Sequence, residues 1–414
     1  MRIRSFFIAA SLLVSTNAWS ETLFINDATV HTMGSRSVLQ NADILIRDGR
    51  VQGVGPDLTA PADATVIEAG GKPVTPGLFG GITGHGLVEI GAVENSVDSN
   101  LSGPGMRPEF DVTPAYNPAS STIPVTRIEG VTWSLLGAGQ SESIIGGQSR
   151  AVSLDGGYRS FMGEKVLFIS TGGGASDKSG GSRAAQWMLL EQAISEATAE
   201  MKWLPSPLLT PAGRNALESY LDGGTVVFSV HRASDILQVL AFAEKHGLKA
   251  VISGGAEAWK VADELAAAGV PVILNPLSNL PSNFDMLGAR MDNAALLNEA
   301  GVTVAFSGFE THQARKQRQA AGNAVANGLP WEAALAALTA NPADILGLEE
   351  GFGRIEPGSP ADIVIWSGDP LEVTSAAEQV ILGGKVIDMV SRQTLLRDRY
   401  LQENPPLPRA YVKP

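Results

Sequence analysis

The middle of this chain keeps changing its hydrophobic period, and that change constrains the fold more than any other feature. Short apolar runs with the character of buried parallel strands occur at residues 131–136, 165–170, 225–231, 250–253, 270–275 and 302–307. Several give way to apolar residues at helical spacing. The plainest helix is expected over 234–245, with Ile236, Leu237, Val239, Leu240 and Phe242 on its apolar side and Gly247 as its stop. A second is expected over 257–268, stopped by Gly269. Both ends of the chain lack a helical period. Residues 22–26, 43–47, 50–55 and 65–68 read as strands, as do 362–366, 379–382 and 385–387, with Asp48-Gly49 and Gly383-Gly384 as hairpin turns. Strand–helix alternation of this length favours an eight-fold barrel over a doubly wound sheet. The expected fold is therefore α/β: a (β/α)8 TIM-type barrel at 76–350, inserted in a small discontinuous β-sandwich domain built from 21–75 and 351–414.

Residues 1–20 read as a signal peptide. Arg2 and Arg4 precede an apolar run over 6–14, and Ala18-Trp19-Ser20 supplies the small residues of a cleavage site, which places cleavage before Glu21 and the mature chain in the periplasm. The apolar run is well short of the roughly 20 residues a spanning helix needs, so no membrane association is expected after cleavage. The chain has no Cys, which suits an oxidising compartment. Its net charge of −13 is spread without a basic block, which argues against nucleic acid or an anionic membrane as partner. A small-molecule substrate or ligand is expected instead.

Two segments break the rhythm. Residues 86–129 are rich in Gly, Pro, Asn and Ser and directly follow residues 72–84, which read as the opening barrel strand, so they should drape over the end of the barrel where strands terminate. Residues 172–181 resemble a phosphate cradle only superficially. A P-loop needs Gly before its Lys, and Asp177 stands before Lys178, so a lid or linker is expected. Gly147-Gln148-Ser149-Arg150-Ala151 imitates a nucleophile elbow, but its last Gly is missing and the stretch after it reads as strand.

Three blocks carry a family resemblance. The first runs from Asp48-Gly49-Arg50-Val51 through Gly70-Gly71-Lys72-Pro73-Val74-Thr75-Pro76-Gly77-Leu78. The second is Val230-His231-Arg232-Ala233 with Gly254-Gly255-Ala256-Glu257-Ala258-Trp259-Lys260. The third is Thr339-Ala340-Asn341-Pro342-Ala343 with Gly353-Arg354-Ile355-Glu356-Pro357-Gly358-Ser359-Pro360-Ala361-Asp362-Ile363-Val364-Ile365-Trp366. In content and order these resemble the amidohydrolase superfamily, in particular its imidazolonepropionase-like branch of secreted members. The resemblance implies a hydrolase of non-peptide carbon–nitrogen bonds that uses zinc or another divalent metal.

It also implies a ligand set, and here the chain departs from the pattern. The acidic residue and the His-x-His pair of the first strand fall on Gly80, Ile82 and Gly84; the strand-six His falls on Ser253 or Gly254; the strand-eight Asp falls on Gly308 or Phe309. His231 alone matches, as the strand-five ligand. Remaining candidates for an altered site are His231, His312 and His85 as metal ligands, with His231, Glu310 and Glu257 as catalytic groups and Arg232 and Lys260 binding an anionic group of the substrate. Against this, Glu257 also fits as a helix-terminus charge, and His31 and His246 read as structural. Two functions follow: a hydrolase with a degenerate metal site, or a non-catalytic protein that binds a small molecule, forms a homo-oligomer or pairs with an active family member.

Overall fold

Strands from the two ends of the chain meet in one sheet. The computed structural model describes residues 22–198 and 207–401, so the expected leader at 1–20 lies outside the described residues. Pro73–Pro76 is the joint: it pairs in parallel with Leu23–His31 and antiparallel with Ile363–Trp366, Ile363 standing opposite Pro76. The sheet extends through Ala377–Leu382 and Lys385–Val386 on one side and through Val38–Arg47 and Arg50–Gly55 on the other, with Thr65–Glu68 beside Leu23–His31. Alternating side chains turn Leu23, Ile25, Ile44, Ile46, Ile363 and Ile365 into its buried face. Both expected hairpin turns form, with φ of 54° and 75° at Asp48 and Gly49 and 58° and 74° at Gly383 and Gly384. Positive φ at both central positions is what a two-residue turn matching strand twist requires.

The middle of the chain forms a second eight-stranded sheet, curled into a nearly closed barrel. Its staves are β1 (Leu78–Thr83), β2 (Val131–Leu136), β3 (Ile145–Ser153), β4 (Phe161–Ser170), β5 (Thr225–Val230), β6 (Lys249–Gly254), β7 (Val272–Leu274) and β8 (Val304–Phe306). One feature departs from a regular barrel: β3 runs antiparallel to both β2 and β4. The links 137–144 and 154–160 explain it, since a parallel return needs a crossover of a dozen or more residues. Ser149 lies within this stave, buried, and its Oγ donates to Leu136 O, so the imitation elbow is strand.

Phe79, Trp133, Val166, Val227, Val251, Ile273 and Ala305 point inward and fill the barrel. Their neighbours of opposite parity, such as Val226, Phe228 and Val230, face the surrounding helices. The helix Ala233–His246 buries Ile236, Val239 and Phe242 and stops at Gly247, whose φ is 66°. The expected helix at 257–268 is divided into a 3-10 turn, Ala258–Val261, and a short helix, Ala262–Ala267. Residues 86–129 anchor themselves through buried Leu87, Met106, Val112 and Ile123. Residues 172–181 form two short 3-10 turns, and Lys178 Nζ donates to Gln140 O at 2.7 Å. His31 stacks on Trp331 with ring centroids 4.7 Å apart, and His246 meets Glu191 at 3.1 Å.

Candidate functional site at the barrel mouth

Inward parity continues past the packed core to the C-terminal ends of the staves. Two residues beyond Val227, Val251 and Ala305 stand Ser229, Ser253 and Ser307, which with Ser170 of β4 line a cavity of about 480 Å³. Ile82 lies on its wall. A second cavity, of about 770 Å³, shares Ile82, Gly137, Ala138 and Glu310 with the first and reaches under Val88 and Val97 of the 86–129 segment. That segment thus drapes over the mouth, at the end of the barrel where a catalytic face is expected.

Four of the positions that the resemblance assigns to metal donors are glycines with close neighbours, while Ile82, Ser253 and Phe309 line the smaller cavity. A Cβ on Gly80 would lie 2.4 Å from Ser134 Oγ, and one on Gly84 would lie 2.7 Å from Val88 Cγ2. A Cβ on Gly254 would lie 2.6 Å from the His231 ring, and one on Gly308 would lie 2.3 Å from Asn275 Cγ. In each case the nearest atoms belong to a side chain, which would have to move. Apart from the Ser253 hydroxyl these places carry no donor side chain, and the residues present do not fit the divalent ion that the superfamily usually uses. Among the described residues no group of three or more His, Asp or Glu side chains is arranged to hold a metal.

His231 follows β5, and its ring lies over Gly254, whose φ of 101° and missing side chain admit it. Burial pulls its pKa below the ordinary histidine value, opposed in part by Asp285, and its Nδ1 is buried without a hydrogen bond. The imidazole is thus neutral at neutral pH. His85 is placed elsewhere, outside the mouth in a cage of hydroxyls. Its Nδ1 lies 2.8 Å from Thr83 Oγ1 and 3.0 Å from Ser134 Oγ, and its Nε2 lies 3.2 Å from Thr126 Oγ1. Burial pushes its pKa down to about 4. His312 and Glu310 face each other at 3.8 Å on the rim of the larger cavity, both largely exposed. The structure therefore does not bring His231, His312 and His85 together.

Glu257 and its neighbours form a structural knot. Glu257 Oε2 accepts the Ala233 N–H at 3.2 Å, at the start of the helix Ala233–His246, while Oε1 accepts Lys260 Nζ at 2.8 Å and the Gly288 N–H at 2.9 Å. Burial raises the carboxyl's pKa, but these donors outweigh it and leave it below the ordinary value. Its charge is committed to three donors. Lys260 is neutralised in the same knot, and Arg232 is exposed; neither lines either cavity.

Sequence reasoning missed the neighbouring knot altogether. Arg183 bridges Asp235, at 3.1 Å, and Asp285, which also accepts the Gly173 N–H. Gln186 seals the same turn by donating to Gly172 O at 2.8 Å and accepting the Gly172 N–H at 2.9 Å. These four polar side chains come from three segments far apart in sequence. The one local signal was a Gly-rich turn whose backbone needs partners.

The comparisons with known proteins bear on the family and the fold. Residues 298–388 match the model of the Amidohydrolase family. Over 57 residues the chain is 51% identical to Amidohydrolase tasK of Hapsidospora irregularis, a stretch that is 14% of this chain and 6% of that protein. A solved amidohydrolase from Thermotoga maritima MSB8 is similar over 88% of this chain and 99% of its own, with 26% identity and a TM-score of 0.77. A triazine hydrolase from Arthobacter aurescens shares the fold at 16% identity and a TM-score of 0.53, over 91% of this chain and 98% of its own.

Proposed function

We propose that this chain, which belongs to the amidohydrolase superfamily and is a hydrolase by that resemblance, uses its barrel mouth to hold a small molecule without a metal-bound water. The observation that carries this reading is glycine at 80, 84, 254 and 308, with a neighbouring side chain within 2.7 Å of where each Cβ would stand. Family hydrolysis of non-peptide carbon–nitrogen bonds depends on donors at such places to activate water, and one matched histidine is too few to share the cost of holding the ion. What remains is a cavity of the size small-molecule sites have, with hydroxyls at its floor to orient a polar group. Basic, apolar and small residues in that order over 2–20 support export to the periplasm.

Elemental analysis after dialysis tests the reading. The expected result is well below one zinc-type ion per chain, with amide binding unchanged by a chelator. Stoichiometric metal, together with metal-dependent hydrolysis of an amide, would overturn it.

A second reading is favoured by one observation, the buried Nδ1 of His231 without a hydrogen bond, although the ring lines neither cavity. It is a metal-free hydrolase of non-peptide carbon–nitrogen bonds, with His231 as general base. Turnover that survives chelation and disappears in His231→Ala supports it. Absence of turnover leaves a binding subunit, alone or paired with an active family member.

A further inference from the structure

The two cavities at the mouth adjoin, with Ile82, Gly137, Ala138 and Glu310 in the lining of both. The charge of this lining is one-sided. Among the described residues the lining includes Glu89 and Glu310 and neither Lys nor Arg. Of the cations in the loops around this end of the barrel, Arg183 is engaged by Asp235 and Asp285, Lys260 by Glu257 and Lys178 by the carbonyl of Gln140, while Arg232, Arg315 and Lys316 line neither cavity. An anionic ligand would meet the carboxylates of Glu89 and of Glu310, the latter 3.8 Å from His312, whereas a cation would find a favourable potential.

The depth of the space adds a second requirement. Ile82, which lines both cavities, and Val88 and Val97, which line the larger, give apolar surface beside the carboxylates, and Glu310 borders the serine-lined cavity as well. A bare ion would leave the apolar surface and the serines unused. We propose that the mouth selects a small organic cation with a neutral polar end, the ammonium or guanidinium lying at Glu310 and Glu89, the apolar stem along Ile82 and Val88, and an amide-type group among Ser229, Ser253 and Ser307. This inference rests on the reading of the mouth as a binding site and names the class of molecule it takes.

Titration calorimetry with a matched series tests it: hexanamide, 6-aminohexanamide and adipamate, whose six-carbon chains end in a methyl, an ammonium-bearing methylene or a carboxylate. The ammonium compound is expected to bind about tenfold more tightly than hexanamide, as one charge-assisted contact provides. The adipamate should bind most weakly, and added salt should shrink the differences. In Glu310→Gln with Glu89→Gln the ammonium advantage should vanish while hexanamide affinity stays unchanged. Equal binding of all three compounds, or an advantage that survives both substitutions, would overturn the charge selection and leave the binding reading standing. If no compound binds, both fall. Binding of all three that is abolished in Ser229→Trp would place the ligand in the mouth independently of its charge.

Discussion

The backbone N–H of Ile82 donates to Ser307 Oγ at 2.9 Å, and this bond crosses the seam where the barrel sheet does not close on itself. Ile82 is on β1 and Ser307 follows β8, the two ends of the strand order. Side chains therefore take over from a strand ladder here: Thr311 Oγ1 accepts the Gly84 N–H at 2.8 Å, and Gln317 Nε2 donates to Phe306 O at 2.8 Å. Ser307→Ala should cost about 1–2 kcal/mol, because it leaves the Ile82 N–H without its partner. Hydrogen exchange should then show faster exchange at Ile82. Unchanged exchange there would mean that the seam is held by other contacts.

Putting the missing donors back should not restore a metal site. Gly308→Asp places a Cβ 2.3 Å from Asn275 Cγ, and Gly84→His places one 2.7 Å from Val88 Cγ2. Each is expected to destabilise the fold by about 1–3 kcal/mol, the usual cost of overpacking. Melting curves with and without added zinc should coincide for Ile82→His with Gly84→His. A zinc-dependent rise in melting temperature would show that the site needs only its ligands.

The barrel and the β-rich domain were legible because their signals are local: apolar runs, hairpin glycines and helix stops lie within a few residues of what they shape. The turn of β3 was harder to read. Its direction depends on the short links at 137–144 and 154–160, not on the apolar character of the strand. At the mouth, the sequence displays which donor is absent but not what fills the space. That Asn275 crowds Gly308, or that Glu257 holds Gly288, is a contact between segments dozens of residues apart. Arg183, Asp235 and Asp285 were invisible for the same reason, as ordinary charges of the surface type until folding collects them.

Glu257 gives a test of structural against chemical roles. Its two oxygens join the start of the helix Ala233–His246 to the loop at Gly288. Glu257→Ala strands both N–H groups and the Lys260 ammonium, with an expected loss of about 2–4 kcal/mol. Glu257→Gln keeps one acceptor and should lose less. Ligand affinity at the mouth should change little in the glutamine variant, measured by the same calorimetry. A collapse of affinity or turnover with stability intact would return Glu257 to the site.

Two buried groups titrate in nearly the same window with opposite consequences. His85 falls from 6.5 to about 4 through burial, so between those values the unfolded chain holds the extra proton and stability drops as pH falls. Asp362 is raised from 3.8 to about 6, chiefly by burial, against the Gly383 N–H that it accepts at 2.7 Å. Between those values the folded chain holds the proton, so its contribution to stability increases as pH falls and is lost as pH rises through about 6. Each shift corresponds to about 3 kcal/mol, and the two largely offset each other. Asp362→Asn removes one side of the balance and retains an acceptor for Gly383. Urea unfolding from pH 3.5 to 7.5 should show the variant gaining on the native chain as pH rises through the window, with a steeper loss toward acid than the native chain has. A stability difference between the two that does not change with pH would mean that Asp362 ionises in the folded chain as it does in the unfolded one.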